Sequence, residues 1–451
     1  MPSQTLAATE GALRSVDVAQ FQAQFDADTR NRASMNAICT TPVNKVAVNR
    51  ATYAKIDHSF SLHLPENPIT AQKGSGRCWM FAALNTFRTR AAKTMNLEAF
   101  ELSQNYTMFW DKLEKSNYFL ESILQTLDEP IGSRLLDWLL ANIITDGGQW
   151  DMFVNLIDKY GVVPKSVMPE TESSSSTGNM NYQVTFMLRD YACRLRKANE
   201  GGSTADELRK LKDDFMSEVY RMLVIHLGEP AKEFDWQWRD KDKQFHRAGT
   251  LTPTEFYGKY VDYDLKDMVC LVHDPRHPTN TAMTVKFLGN VVGGRPTEYL
   301  NTDLETIKCA AIKHIESGES VWFGCDVGKY LDGESGVMDI DLFQFDLVYG
   351  CQPTMTKAER LMYGHSLMTH AMVFTGVDVG ENDQPRKWRV ENSWGDERGQ
   401  KGWFQMSDKW FDEFNYEVVV HKSHVPAGVL ETLTQQPIEL EPWDPMGSLA
   451  L

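Results

Sequence analysis

ENPITAQKGSGRCWMFAALNTFRTRAAKTMNL, residues 66–97, joins two kinds of sequence at a single residue. Up to Arg77, the Pro and Gly content dictates a loop. From Cys78 onward the residues are rich in Ala, Leu, Met and Arg and free of Gly and Pro, which predicts a helix. The junction sets Cys78 at or beside the first helical turn. A helix N-terminus carries unpaired N–H groups and roughly half a positive charge, which lowers a thiol pKa. Only the thiolate is a nucleophile. Gly74 and Gly76 leave room for a substrate backbone beside the sulfur. On these residues alone, a structural cysteine at a helix start explains the pattern as well as a nucleophile does.

Outward from the junction, residues 1–65 read as an N-terminal arm. Val18, Phe21 and Phe25 recur at helical spacing, the polar DADTRNRAS breaks the pattern, and an extended segment follows. Residues 66–180 form a helical lobe that includes LSQNYTMFWDKLEKSNYFLESIL and RLLDWLLANII and ends near the polar surface loop TESSSSTGN (171–179). Residues 181–265 read as an inserted, mostly helical subdomain. There Thr204 and Glu207 offer a capping box, Leu208, Leu211, Phe215, Val219 and Met222 an apolar stripe, and Gly228 and Pro230 a stop. Residues 266–430 change to short strands: MVCLVHD, TVKFLGNVV, SVWFGCDV, MTHAMVFTGVDV, KWRVENSW, GWFQMS and YEVVVHK. The tail, 431–451, ending PIELEPWDPMGSLAL, reads as neither helix nor strand. Helices first and strands second predict an α+β fold.

The chain has 451 residues and a formal net charge of −16, an acidity that disfavours nucleic acid and anionic membranes as partners. No stretch approaches the ~18 apolar residues of a membrane span. The first residues lack an apolar h-region and carry Glu10 and Asp17, so no export signal is expected. Seven cysteines lie dispersed, with no C-x-x-C pair. Reduced thiols in a cytoplasmic setting follow as the expectation. No metal-ligand spacing is present, and no metal or other cofactor is expected.

Two further motifs bear on Cys78. The strand MTHAMVFTGVD carries His370 among apolar residues, and WRVENSWG carries Asn392 on the next strand. Antiparallel pairing would bring the two side chains together. A histidine activates a neighbouring thiol, and its second ring nitrogen needs a partner to fix the tautomer. His365 competes for that role, but it follows Gly364 in a loop, whereas His370 lies in the strand. By itself, His370 also fits a core histidine with its hydrogen bonds satisfied.

The blocks QKGSGRCW (72–79), THAM (369–372) and ENSWG (391–395) resemble, in order, the active-site blocks of the papain superfamily, and are most similar to its bleomycin hydrolase/aminopeptidase C branch. FELSQNYTMFWDKLEKSNYFLE, DGGQWDMFVNLIDKYGVVPKSVMPET, HDPRHP, FLGNVVGGRPTEYLN, SVWFGCDVGKY and PWDPMG extend the resemblance from about residue 50 to the end. It implies a two-lobed papain-like fold and a cytosolic cysteine aminopeptidase acting on peptides and peptide-like amides. It implies Cys78 as nucleophile, His370 as base, Asn392 as its orienting partner, Gln72 as oxyanion donor and Trp394 as a shield over the His370–Asn392 bond. It also implies a homohexamer and a C-terminal arm in the cleft, with the Leu451 carboxylate and Gly76 at the substrate. Ser75 stands where secreted relatives carry a disulfide cysteine. The spacing from Cys78 to His370 is 292 residues, well beyond the ~130–150 of papain itself, which implies large insertions. A non-catalytic or nucleic-acid-binding protein on the same scaffold, and a papain-type endopeptidase, are the alternatives. The intact residue set, the charge and Ser75 weigh against them.

Overall fold

A computed structural model describes residues 11–450 and divides them into two units. The smaller combines residues 11–57 with 339–355. Its helix Ser15–Ala27 buries none of its side chains, and Val18 and Phe21 are exposed. DADTRNRAS does not lead into extended chain as predicted. The Asp28 carboxylate accepts the Arg30 N–H and caps a second helix, Thr29–Ile38. A polar run that breaks an apolar period can thus be the start of the next helix.

In the larger unit, residues 58–338 and 356–450, the helix Cys78–Thr94 begins where the sequence placed it. It is buried on nearly every side, which explains its long apolar run. Helices Gln104–Gln125 and Trp150–Tyr160 pack beside it. Trp150–Tyr160 stops at Gly161 (φ 64°), where a Cβ would lie 2.4 Å from the Pro253 backbone, so only glycine fits. The Thr204–Glu207 capping box forms as predicted and starts Ala205–Leu227. The block around it is less purely helical than expected. Phe234–Arg239 and Phe245–Leu251 form a hairpin, with Trp236 and Trp238 turned inward toward Phe256 and Tyr260. The period-two alternation of FDWQWR carried that signal.

Among the described residues, antiparallel and parallel pairings assemble a 12-stranded sheet around Val321–Cys325 and His370–Val379, which run antiparallel with His370 opposite Cys325. Pro385–Glu391 joins on the other side, with Val373 opposite Glu391, so Asn392 emerges beside His370. The α+β expectation holds. Of TVKFLGNVV only Thr284 and Val285 are strand, the end of Thr281–Val285, because the backbone turns at Phe287 (φ 56°). The tail is more ordered than its sequence suggested. Ile438–Leu440 pairs in parallel with Thr281–Val285, and Arg276 holds Asp444 at 2.7 Å. Backbone pairing and ion pairs, Arg276–Asp444 and Lys286–Glu441, order a segment whose local propensities are poor. TESSSSTGN is likewise not a free loop: Ser174 is buried, and Ser176 bridges to Gly74 beside the nucleophile.

Candidate active site

Cys78 is the first residue of its helix, and the residue is 5% exposed. The N–H groups of Ala371, Trp79 and Cys78 itself face Sγ, but burial outweighs them and pushes the thiol up to about 11. Ala371 follows His370, so the helix start meets the strand at the sulfur. Burial drives His370 down to about 4, against the opposing hydrogen bond to Asn392. Burial thus favours the neutral form of each group.

The tautomer follows from the hydrogen bonds. His370 Nε2 lies 2.9 Å from Asn392 Oδ1, which also accepts the Ser393 N–H at 2.7 Å. An amide oxygen only accepts, so Nε2 carries the proton and Nδ1 keeps its lone pair. The Trp394 ring covers the imidazole, with centroids 4.9 Å apart, and Phe404 backs the indole. His365, by contrast, sits in an exposed loop.

Gln72 is buried and clamped at three points. Its backbone N–H donates to Ser393 O at 2.8 Å, its Oε1 accepts from Ser393 Oγ at 2.6 Å, and its Nε2 donates to Ser75 O at 2.6 Å. One amide hydrogen remains to donate elsewhere. Ser75 is held by polar contacts. Its Oγ donates to Gln72 O at 2.7 Å and accepts from Arg77 Nε at 2.9 Å, while the Arg77 fork grips Glu170 at 2.7 and 3.1 Å. Gly76 is exposed, and its N–H donates to Asp146 Oδ2 at 2.8 Å; a Cβ there would sit 2.8 Å from Asp146 Cβ.

Sequence reading missed Asp146 and Ser393. Burial raises the Asp146 pKa, yet buried Lys112 and the Thr177 and Asn181 hydrogen bonds prevail and hold its carboxyl well below the usual range. Ser393 lay inside the ENSWG block, but its partner, 321 residues away, left no local trace.

The tail is tied to residues near this arrangement. Gly148 N–H donates to Leu449 O at 3.0 Å, Ser448 Oγ to Met368 O at 2.8 Å and Tyr299 Oη to Met446 O at 3.0 Å. Leu449 is buried. Leu451, expected at the substrate, lies outside the described residues.

Residues 12–447 match the sequence model of the Peptidase C1-like family. Aminopeptidase C of Listeria monocytogenes is 49% identical over 418 residues, covering 92% of this chain and 94% of its own. Bleomycin hydrolase of Homo sapiens is 43% identical over 453 residues, covering 98% and 100%. The crystal structure of PepW from Lactobacillus rhamnosis superposes with a TM-score of 0.95 at 45% identity, covering 97% of this chain and 99% of that one.

Proposed function

Because this chain belongs to the peptidase C1-like family and has its papain-like α+β fold, we infer that it is a cysteine aminopeptidase of the bleomycin hydrolase/aminopeptidase C kind, acting on peptides. The observation that carries the assignment of roles is the His370 Nε2–Asn392 Oδ1 bond beside the helix start at Cys78.

In this reading, His370 Nδ1 takes the Cys78 proton as Sγ attacks the scissile carbonyl. Asn392 holds the ring in the tautomer that leaves Nδ1 free and stabilises the imidazolium that forms. The developing oxyanion is met by the Cys78 N–H and the spare Gln72 Nε2 hydrogen. His370 then protonates the departing amine, and water hydrolyses the thioester by the reverse proton route. Trp394 keeps water from the His370–Asn392 bond, which low local polarity strengthens. Gly76 borders the substrate backbone.

The tail makes the exopeptidase. Leu449 accepts from Gly148 N–H and Ser448 donates to Met368 O, two residues before His370, which supports a tail lying on the amino-terminal side of the cut. The carboxylate of Leu451 would then pair with the substrate's free amino group. Seven free thiols and Ser75 support a cytoplasmic setting. No helix among the described residues is long and apolar enough to cross a membrane. Exposed Leu13, Val16, Val18 and Phe21 support assembly of copies into a homohexamer, and the −16 charge disfavours nucleic acid.

Hydrolysis of free aminoacyl-coumarins tests the whole reading. Activity should vanish in Cys78→Ala and after a thiol-alkylating epoxide; activity intact in that variant overturns it.

A further inference from the structure

Ten residues beyond Cys78 on the same helix, and about 15 Å from it at 1.5 Å per residue, Arg88 is fully buried. Arginine almost never lies so deep unless it is paired. Its guanidinium donates through Nη2 to Glu391 Oε1 and through Nη1 to Pro68 O at 2.6 Å. Glu391 is buried too, and it stands immediately before Asn392 at the end of its strand. Asn85, one turn nearer Cys78, donates to Thr70 Oγ1 at 3.0 Å and to the Glu391 carboxylate. No step of the proposed chemistry touches this cluster.

The cluster lies where the segments of the site are joined. Thr70 O accepts from Gly395 N–H at 3.1 Å, Ala71 bridges Trp394, and Gln72 N–H donates to Ser393 O at 2.8 Å. Residues 70–72 and 393–395 thus run as a short antiparallel pair, which ties Gln72 to the strand end bearing Asn392. Arg88 and Asn85 fasten Pro68, Thr70 and Glu391 to the helix of Cys78. A buried ion pair is a poor way to add stability, because both charges lose water, and apolar side chains of similar volume often do as well or better. Burial raises the Glu391 carboxyl, against the pull of Arg88 and Arg389. What an arginine fork adds, and apolar packing does not, is direction: donors held in one plane fix their acceptors at set positions.

We infer that Arg88 and Glu391 are positioning residues, an ion pair that sets Asn392 and Gln72 at their working distances from Cys78. Through Asn392 the pair also aims His370. The inference rests on the roles proposed for those four residues and adds the two that hold them in register.

The test uses the full-length chain and steady-state hydrolysis of an aminoacyl-coumarin, and thermal unfolding checks that each variant folds. Arg88→Met combined with Glu391→Leu replaces the ion pair by apolar side chains. It should lose at least ten-fold in kcat with KM within two-fold, as expected for contacts that act in the transition state. In that background Asn392→Ala should cost no more than three-fold, because the group it removes is already displaced, whereas in the unsubstituted chain it carries its full loss. A role in packing alone would leave the two losses additive. Arg88→Lys keeps the charge without the planar fork and serves if the apolar pair does not fold. It should lose at least three-fold in kcat and show the same coupling to Asn392→Ala. A smaller loss in a folded variant, or an equal cost of Asn392→Ala in both backgrounds, overturns the inference. Cys78→Ala reports separately on the catalytic reading: activity retained there sinks both, and activity lost there but intact in the ion-pair variants sinks the positioning role alone.

Discussion

Replacing Gln72 by alanine removes a donor without touching the nucleophile, its base or the fold's core. Gln72 Nε2 has one hydrogen on Ser75 O and one to spare, and only the spare one serves the oxyanion. Loss of a preorganised donor of this kind costs about 2.7–4 kcal/mol, or about 10²–10³ in kcat. The Cys78 N–H stays, so activity falls without vanishing. Ser393→Ala grades the effect. It removes the 2.6 Å bond to Gln72 Oε1 but leaves two other clamps, so a loss of about 1 kcal/mol, roughly five-fold, is expected. Gln72→Glu is isosteric but sets a carboxylate against the Ser75 carbonyl and the oxyanion, and it should fall below the alanine variant. Steady-state hydrolysis of an aminoacyl-coumarin reads all three, with the loss in kcat and KM little changed, because the bond is made in the transition state. A Gln72→Ala enzyme within three-fold of the unsubstituted one would refute the oxyanion role.

Asn392→Ala leaves His370 Nε2 without its acceptor inside a buried site and frees the wrong tautomer; kcat/KM should drop about 10–100-fold, on the scale of 1–3 kcal/mol for a buried unpaired group, while alkylation of Cys78 remains measurable. His370 has a folded pKa near 4 against 6.5 free, so the stability it contributes is present above 6.5 and lost as pH falls toward 4. Thermal unfolding of His370→Gln should therefore decline less steeply over that window; the slope is reduced, not removed, because His273 and His314 are shifted the same way, and an unchanged slope counts against a buried neutral imidazole. The buried Cys78 thiol runs oppositely, its contribution being present below pH 9 and lost as pH rises toward 11, so Cys78→Ala should flatten the alkaline limb. Deleting residues 448–451 should lower aminopeptidase turnover and admit amino-blocked peptides; unchanged exopeptidase kinetics would sink the role given to the tail.

Much of the site was legible because its parts are local. A Gly-rich loop running into an apolar, Gly-free run placed Cys78 at a helix start, and short apolar runs placed His370 in a strand and Asn392 at the end of the next. The Thr204–Glu207 box announced its helix within four residues. Where reading failed, the deciding partner was remote. DADTRNRAS broke a period yet capped a helix through Asp28, TESSSSTGN was claimed by Gly74, and the tail took order from Thr281–Val285 and Arg276.

By itself, the sequence determined which elements the candidate site residues ride on, since propensity and capping act across one helical turn. Only the tertiary structure decided what each polar group meets. Ser393 finds Gln72 across 321 residues, and the tautomer of His370 depends on which oxygen faces Nε2. In YEVVVHK, Glu417 is one polar residue among valines. Whether it points to water or into the core, where it lies, is set by how the strands pack, because burial belongs to the whole fold and not to any one segment.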